Sequence, residues 1–141
     1  PGNKHRSCNL TDYLKLFNNS KVSFYSLQMG EVEKSKDQIF KQYNITDLSG
    51  SISTFNDTAA IMDNLDLIIS IDTSVAHLAG ALGKETWVLL STKCDWRWYD
   101  NRKENPWYPT FELFRQKEFN NWDSVFTEVD KKLKQKIKDI N

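Results

Sequence analysis

A strand–helix–strand segment in the middle of the chain restricts the fold more than any other feature. Residues 66–71 (DLIISI) contain four apolar residues without strict alternation, which is typical of a strand buried on both faces. Residues 74–82 (SVAHLAGAL) predict a helix that ends at Gly83, and residues 86–90 (TWVLL) predict a second buried strand. A helix that joins two strands within about 25 residues predicts a right-handed βαβ unit. We therefore predict an α/β fold with a parallel sheet flanked by helices, in which Ile69 and Leu89 are fully buried in adjacent strands.

Weaker patterns supply the other elements of such a fold. Helices are predicted over 11–18 with Thr11 as N-cap, over 31–43, from Asp57 through the segment TAAIMDNL, and over 122–140, where apolar residues occupy one face. Strands are predicted over 22–27 and 111–116, with one short strand within 45–54 and an aromatic-rich loop over 95–109. Because polar residues and a helix precede the first of these strands, the first central strand is expected upstream. Residues 1–141 are thus expected to form a single domain cut from a longer protein.

Composition excludes several classes of function. Lys plus Arg and Asp plus Glu both number 19, and this zero net charge argues against a nucleic-acid partner, which requires a basic surplus. No apolar run approaches the roughly 20 residues that span a membrane. Two unclustered cysteines, Cys8 and Cys94, favour a reducing compartment, and we predict a cytoplasmic protein. The two histidines and two cysteines form no metal-binding motif, so neither a metal nor a cofactor is expected.

A possible anion site follows the first buried strand. Ligands of open parallel sheets bind beyond the carboxyl ends of the strands, where Asp72, Thr73 and Ser74 begin the next helix. The free N–H groups and the dipole of a helix N-terminus attract anions, and His77 lies one turn further on the same face. The same residues also suit simple helix capping and packing of the histidine. Because a carboxylate repels phosphate, Asp72 is expected to be either the N-cap or an acceptor for sugar hydroxyls. The local pattern alone favours capping over ligand binding.

Two other segments are expected at the same rim: the aromatic loop, because it follows the strand predicted over 86–90, and the opening segment, if a strand precedes it. The basic opening segment GNKHRS contains Lys4 and Arg6, which could neutralise a phosphate, although a solvated terminus is the simpler explanation. In the aromatic loop, Trp96, Arg97 and Trp98 are expected to border the site. Their rings could stack on a base or a sugar, but packing beneath the loop is favoured. The sequence lacks the GxGxxG, GxxxxGK[ST] and GxSxG motifs.

Several segments resemble one family in order along nearly the whole chain. They are DTAAIMDNLDLIISIDTSVAHLAGALGKETWVLL, DWRWYD, NPWYP, FELFRQ and NNWDSV, with HRSCNL near the start. They resemble the glycosyltransferase-like domain that follows tetratricopeptide repeats in bacterial proteins. That domain is related to the ADP-heptose:lipopolysaccharide heptosyltransferases of glycosyltransferase family 9. The resemblance implies a GT-B architecture, with two Rossmann-like domains around a cleft, of which this chain would be the C-terminal, nucleotide-sugar-binding one.

The resemblance also implies roles for particular residues. The positions that match the family's donor-binding segment are Asp72, Thr73, Ser74 and His77, and those of the basic opening segment are Lys4 and Arg6. In GT-B enzymes the general base usually comes from the N-terminal domain, so this chain alone is expected to be inactive. The parent protein is expected to be a metal-independent glycosyltransferase that carries the N-terminal domain and tetratricopeptide repeats.

Three functions remain open at this stage. The leading hypothesis is the donor-binding half of a glycosyltransferase, which would move a sugar from a nucleotide diphosphate to an acceptor hydroxyl. The alternative is a non-catalytic binding or scaffold module of a tetratricopeptide-repeat protein. A third hypothesis, a different Rossmann-like nucleotide-binding domain, is weakened by the absence of the glycine fingerprint.

Overall fold

Parallel strands in two small sheets, flanked by helices, form the fold. The computed structural model describes residues 5–30, 34–94, 96–98 and 105–141. The helices are α1 (Leu14–Phe17), α2 (Lys36–Tyr43), α3 (Phe55–Asp63), α4 (Ser74–Ala81) and α5 (Asp123–Ile140). The strands are β1 (Tyr25–Ser26), β2 (Thr46–Asp47), β3 (Ile68–Ile71), β4 (Thr86–Leu90) and β5 (Phe111–Arg115). Short 3₁₀ helices cover Leu10–Tyr13, Ser49–Ser51 and Trp96–Trp98.

The predicted βαβ unit is present. β3 and β4 pair in parallel, with Ile71 opposite Leu89, and α4 connects them. β5 pairs in parallel with the other edge of β4, which gives the order β3-β4-β5. β1 and β2 form a separate two-stranded parallel sheet. The α/β class with parallel strands is therefore confirmed, and the arrangement is compatible with a Rossmann-like fold.

β4 lies at the centre of the core: it is paired on both edges, and all five of its residues are buried. Trp87 and Leu89 belong to the larger hydrophobic cluster, which includes buried residues of α1 and α5. Val88 and Leu90 belong to a second cluster with Ala76 of α4. Since neighbouring residues of a strand point to opposite faces, an uninterrupted apolar run is what a strand covered on both sides requires.

The terminal helix covers one face of the larger sheet. Its N-cap is Trp122, and Val125, Phe126, Val129 and Leu133 are buried, as the apolar stripe predicts. The last member of the stripe is different, since Ile140 is 74% exposed. The apolar face of α5 therefore extends beyond the sheet that it covers. Among the described residues, no helix combines the length and hydropathy needed to cross a membrane.

The first helix begins earlier than predicted. Its 3₁₀ turn starts at Leu10 with Asn9, not Thr11, as the N-cap. The Asn9 N–H donates a hydrogen bond of 2.7 Å to a carboxylate oxygen of Asp12. An acidic side chain three residues after the cap satisfies a backbone donor that the helix leaves free, and this fixes the start at Asn9.

The same capping arrangement corrects the start of α3. The N-cap is Thr54, whereas the sequence pattern placed the helix start at Asp57. The N–H groups of Ser53 and Thr54 donate to the Asp57 carboxylate at 2.8 and 2.9 Å and hold its pKa below the ordinary value. Asp57 is thus the third residue of the helix and not its first, which is the usual place for the acid of a capping box.

The smaller sheet departs most from prediction. The strand predicted over 22–27 is reduced to Tyr25–Ser26, which pairs with the predicted short strand, now Thr46–Asp47. α2 begins at Lys36, and residues 34–35 form a turn. The remainder of the helix predicted over 31–43 falls on residues 31–33, which lie outside the described residues. In the described part of the chain, β1 and β2 pair only with each other. A two-stranded sheet offers no third strand against which longer strands could be stabilised.

Two glycines shape α4. Gly83 has a φ of +69°, and the Gly83 and Lys84 N–H groups donate to the Gly80 and Ala79 carbonyls, as in a Schellman motif. The prediction of Gly83 at the C′ position is confirmed. Gly80 makes a close approach, since a Cβ built there would lie 2.4 Å from Cδ1 of Tyr108. Glycine at this position therefore accommodates the Tyr108 ring.

Truncation of Leu89 should destabilise the protein more than truncation of Ile69. Leu89 is 1% exposed, whereas Ile69 is half-buried, so the prediction of full burial is wrong for Ile69. We expect Leu89→Ala to lower the free energy of unfolding by about 2–5 kcal/mol, the range for buried aliphatic truncations. Ile69→Ala should cost less, because less surface was removed from water. Denaturant titration measures both, and an equal or larger loss for Ile69→Ala would contradict this assignment.

Substitution at Gly80 should test the contact with Tyr108. Gly80→Ala would normally favour a helix, but here the added methyl group overlaps the Tyr108 ring, so we expect a net loss of about 1–3 kcal/mol. Gly50→Ala is the matched control, because a Cβ at Gly50 would meet nothing within 4 Å. Thermal unfolding compares the two variants. A stabilised Gly80→Ala protein would show that the Tyr108 ring does not occupy this place.

Candidate functional site

An open depression of about 450 Å³ lies at the carboxyl end of β3 and the N-terminus of α4. It is lined by Arg6, Asp72, Thr73, Ser74, His77 and Arg97. These residues come from three separate segments of the chain. The expected donor-binding residues therefore meet in one place, with the exception of Lys4, which lies outside the described residues. Of the three residues expected to border the site, only Arg97 lines the depression.

The N-terminus of α4 has no side-chain cap. Thr73 occupies the N-cap position with extended backbone angles (φ −142°, ψ 172°), so the sequence prediction of Asp72 as the cap is wrong. The Thr73 hydroxyl lies 3.3 Å from the Ser70 hydroxyl and makes no hydrogen bond to the helix backbone. Within the described part of the chain, the N–H groups of Ser74 and Val75 have no acceptor. Two donors of the first turn are therefore open to an anion.

Asp72 lies between two basic groups. The residue is 8% exposed, and its carboxylate oxygens are 3.8 Å from Nη1 of Arg6 and 3.9 Å from Nε2 of His77. Both distances are longer than hydrogen bonds, and the distance to Arg6 is short enough for charge attraction. The carboxylate is thus occupied in holding the rim together and not in capping α4.

The N-terminal segment is held against this rim at two points. One is the ion pair between Arg6 and Asp72. The other is a hydrogen bond of 3.2 Å from Nε1 of Trp122, at the start of α5, to the Ser7 carbonyl. The simpler explanation of a solvated terminus is therefore wrong for Arg6, although its side chain keeps 41% of its surface exposed.

His77 is packed on one side and open on the other. Its ring stacks on Trp98 with a centroid distance of 5.5 Å, and its Nδ1 lies 3.3 Å from the Tyr108 hydroxyl. The side chain is nevertheless 38% exposed and lines the depression. Because Nδ1 is paired with Tyr108, Nε2 is the ring nitrogen on the side of Asp72. His77 is therefore packed against Trp98 and Tyr108 and still exposes part of its ring to the depression.

The three residues of the WRW segment occupy different surroundings. Trp98 is 1% exposed and stacks on Phe111 in the core, as the packing explanation predicts. Trp96 is 70% exposed, with the Arg97 guanidinium 5.2 Å from its ring. Only Arg97 of the three lines the depression, while Trp98 supports it from beneath His77. The rest of the aromatic loop between Trp98 and Asn105 lies outside the described residues.

The charge of the lining favours an anion. Two arginines against one aspartate give the depression a net charge of +1 with neutral His77. The two free N–H groups of α4 and the hydroxyls of Thr73 and Ser74 add uncharged donors. In the described part of the chain, no three His, Cys, Asp or Glu side chains are grouped as metal ligands. The donors available here are those that bind phosphate oxygens.

Two supporting residues were missed from the sequence. The Ser70 hydroxyl lies within hydrogen-bonding distance of the Thr73 hydroxyl. In the sequence, the only indication of this contact was that Ser70 is a polar residue in an otherwise apolar strand, three positions before Thr73. Tyr108 holds the His77 ring, and it was visible only as one of several aromatic residues in the loop. The contact between Tyr108 and His77 joins segments 31 residues apart, and such contacts leave no periodic pattern in the sequence.

Comparisons of the chain with protein-family models, with curated proteins and with solved structures found no match. A proposal about function therefore depends on the chemistry of this rim, together with the resemblance described from the sequence.

Proposed function

We propose that this chain binds the diphosphate of a nucleotide-sugar and is the donor-binding half of a glycosyltransferase with GT-B architecture. One observation carries the proposal. A single depression brings together an uncapped helix N-terminus, the hydroxyls of Thr73 and Ser74, and the guanidinium groups of Arg6 and Arg97. These groups come from separate segments, so ordinary helix capping does not explain their convergence.

The N-terminus of α4 supplies the central contact of this proposal. Its free Ser74 and Val75 N–H groups and the helix dipole favour a negatively charged phosphate oxygen. Arg97 and Arg6 present planar donor groups that match two phosphate oxygens at once. As the bond between sugar and diphosphate breaks, negative charge grows on the diphosphate. Donors that are already oriented stabilise this leaving group without a metal ion.

Asp72 has a different role in the proposal. A carboxylate repels phosphate, but the Arg6 guanidinium lies 3.8 Å from this one and offsets its charge. Its oxygens are acceptors, which suits the hydroxyl groups of a sugar. The resemblance supports this division, since the family's Asp-Thr-x-x-x-His segment faces the donor's diphosphate and sugar. The acceptor and the general base would then come from the N-terminal domain of the parent protein.

Titration with nucleoside diphosphates tests the binding step. Addition of ADP, UDP or GDP at millimolar concentration should shift the backbone amide NMR signals of residues 72–77, with weak affinity because one wall of the cleft is supplied by another domain. Thr73→Val should weaken binding because it removes a hydroxyl donor. It should cost less than about 1 kcal/mol of stability, since this hydroxyl does not cap the helix.

A charge variant with a matched control completes the test. Arg97→Gln should weaken binding about tenfold, the loss expected when a charged hydrogen bond to phosphate is removed. Lys138→Gln removes an equal charge from the exposed end of α5 and should leave the affinity unchanged. Absence of any response at 72–77 to all three nucleotides would refute donor binding and leave the scaffold hypothesis.

A further inference from the structure

A second and larger depression, of about 710 Å³, lies where the two strands of the smaller sheet begin. It is lined by residues 17–20, 22–25, 42–44 and Thr46, so it is bounded by the end of α1, the approach to β1 and the end of α2. It shares no lining residue with the depression at the N-terminus of α4. Anything that binds here therefore binds at a separate site.

Aromatic rings form one wall of this depression. The Phe17 ring meets Phe24 edge to face at a centroid distance of 5.2 Å and lies 5.8 Å from the Tyr43 ring. Phe17 also packs on the main hydrophobic cluster, so this wall is anchored to the core. Tyr25 is 47% exposed and offers a ring surface to solvent. Aromatic faces of this kind pack against the C–H faces of flat, partly apolar ligands.

Uncharged polar side chains form the rest of the lining. Those with exposed surface are Asn18, Ser20, Ser23, Gln42, Asn44 and Thr46. In the part of the chain that the structure describes, none of these six side chains makes a hydrogen bond. Each amide offers both a donor and an acceptor, and each hydroxyl offers the same pair. The lining thus presents hydrogen-bond donors and acceptors to solvent rather than to other protein groups.

Asn19 differs from these residues because it is structural. It is 8% exposed, and its amide donates to the Leu16 carbonyl at 2.8 Å and to Asp130 of α5 at 2.9 Å. These bonds fix the turn after α1 against α5. The polar residues beside it, Asn18 and Ser20, are therefore presented from a held backbone and need little ordering when a ligand binds.

The absence of charged residues from the lining argues against a charged ligand. Every lining residue is described, and none of them is Asp, Glu, Lys or Arg. A nucleotide or another phosphate compound would find no cation here, and a basic ligand would find no carboxylate. The ligand that uses an aromatic face together with many amides and hydroxyls, and that carries no charge, is a neutral saccharide.

We propose that this depression, here called the aromatic–amide site, binds a neutral saccharide. The rings of Tyr25 and Tyr43 contact the C–H face of a sugar unit. The amides of Asn18, Gln42 and Asn44 exchange hydrogen bonds with its hydroxyl groups. The site does not depend on the proposed donor binding, because the two sets of residues are separate.

Amide NMR titration with neutral trisaccharides of glucose, galactose, mannose and N-acetylglucosamine tests this proposal. At millimolar concentration, at least one of them should shift the signals of residues 17–25 and 42–46 and leave those of 72–77 unchanged. A nucleoside diphosphate should give the reverse pattern, so failure of one proposal is distinguishable from failure of the other. No response to any trisaccharide, or a response confined to other residues, overturns the proposal.

Two variants identify the binding groups. Tyr25→Ala and Gln42→Ala alter exposed side chains, so the protein should keep its melting temperature while saccharide affinity falls about tenfold. Phe55→Ala is the matched control, because Phe55 is an aromatic residue that is 58% exposed and lies outside the site. Unchanged affinity in both site variants, or an equal loss in Phe55→Ala, would overturn the proposal.

Discussion

The fold depends on the burial of β4 on both of its faces. A strand of five buried residues must be covered on each side and paired at each edge, because its backbone and side chains have no access to water. α5 covers the face of Trp87 and Leu89, while α4 and the Trp98 segment cover the face of Val88 and Leu90. Removing either cover would expose large apolar surface, so the positions of both helices follow from this one strand.

The site at the rim is a consequence of how α4 is held. Ala76 and Ala79 are fully buried, and their small side chains allow the helix to lie close against the core. The parallel pairing of β3 with β4 then brings the N-terminus of α4 to the carboxyl edge of the sheet. Polar residues are found at this edge because the chain passes from the buried strands to the solvent-exposed surface there. The core thus positions the residues of the candidate site without lining it.

Sequence patterns predicted the elements whose burial is most complete. β4 and α5 carry strong apolar patterns, and the structure places them as expected apart from one residue at the start of α5. β3 was expected to be buried on both faces, but it is an edge strand of the described sheet, and Ile68 is its only buried residue. Helix starts were predicted less well. Asp57 and Asp72 both look like N-caps, but one is the third residue of its helix and the other is engaged by Arg6 and His77. Local composition does not distinguish these roles, because they are decided by contacts with distant segments.

The candidate site was likewise predicted only in part from the sequence. The sequence located the Asp72–His77 segment, but the roles of Tyr108 and Arg6 depend on tertiary contacts. The contact of Ser70 with Thr73 is local, but no motif indicates it. Trp96 and Trp98 could not be told apart from sequence, since the two rings differ only in which side of a short 3₁₀ turn they occupy. The aromatic–amide site has no motif, because its residues come from three stretches that meet only in the folded chain.

A crystal structure of the chain with a bound nucleoside diphosphate tests the central claim most directly. We expect a phosphate oxygen to accept hydrogen bonds from the Ser74 and Val75 N–H groups at the N-terminus of α4, with the Arg97 guanidinium on a second oxygen. A diphosphate bound elsewhere, with these two N–H groups covered by a protein side chain, would contradict the account.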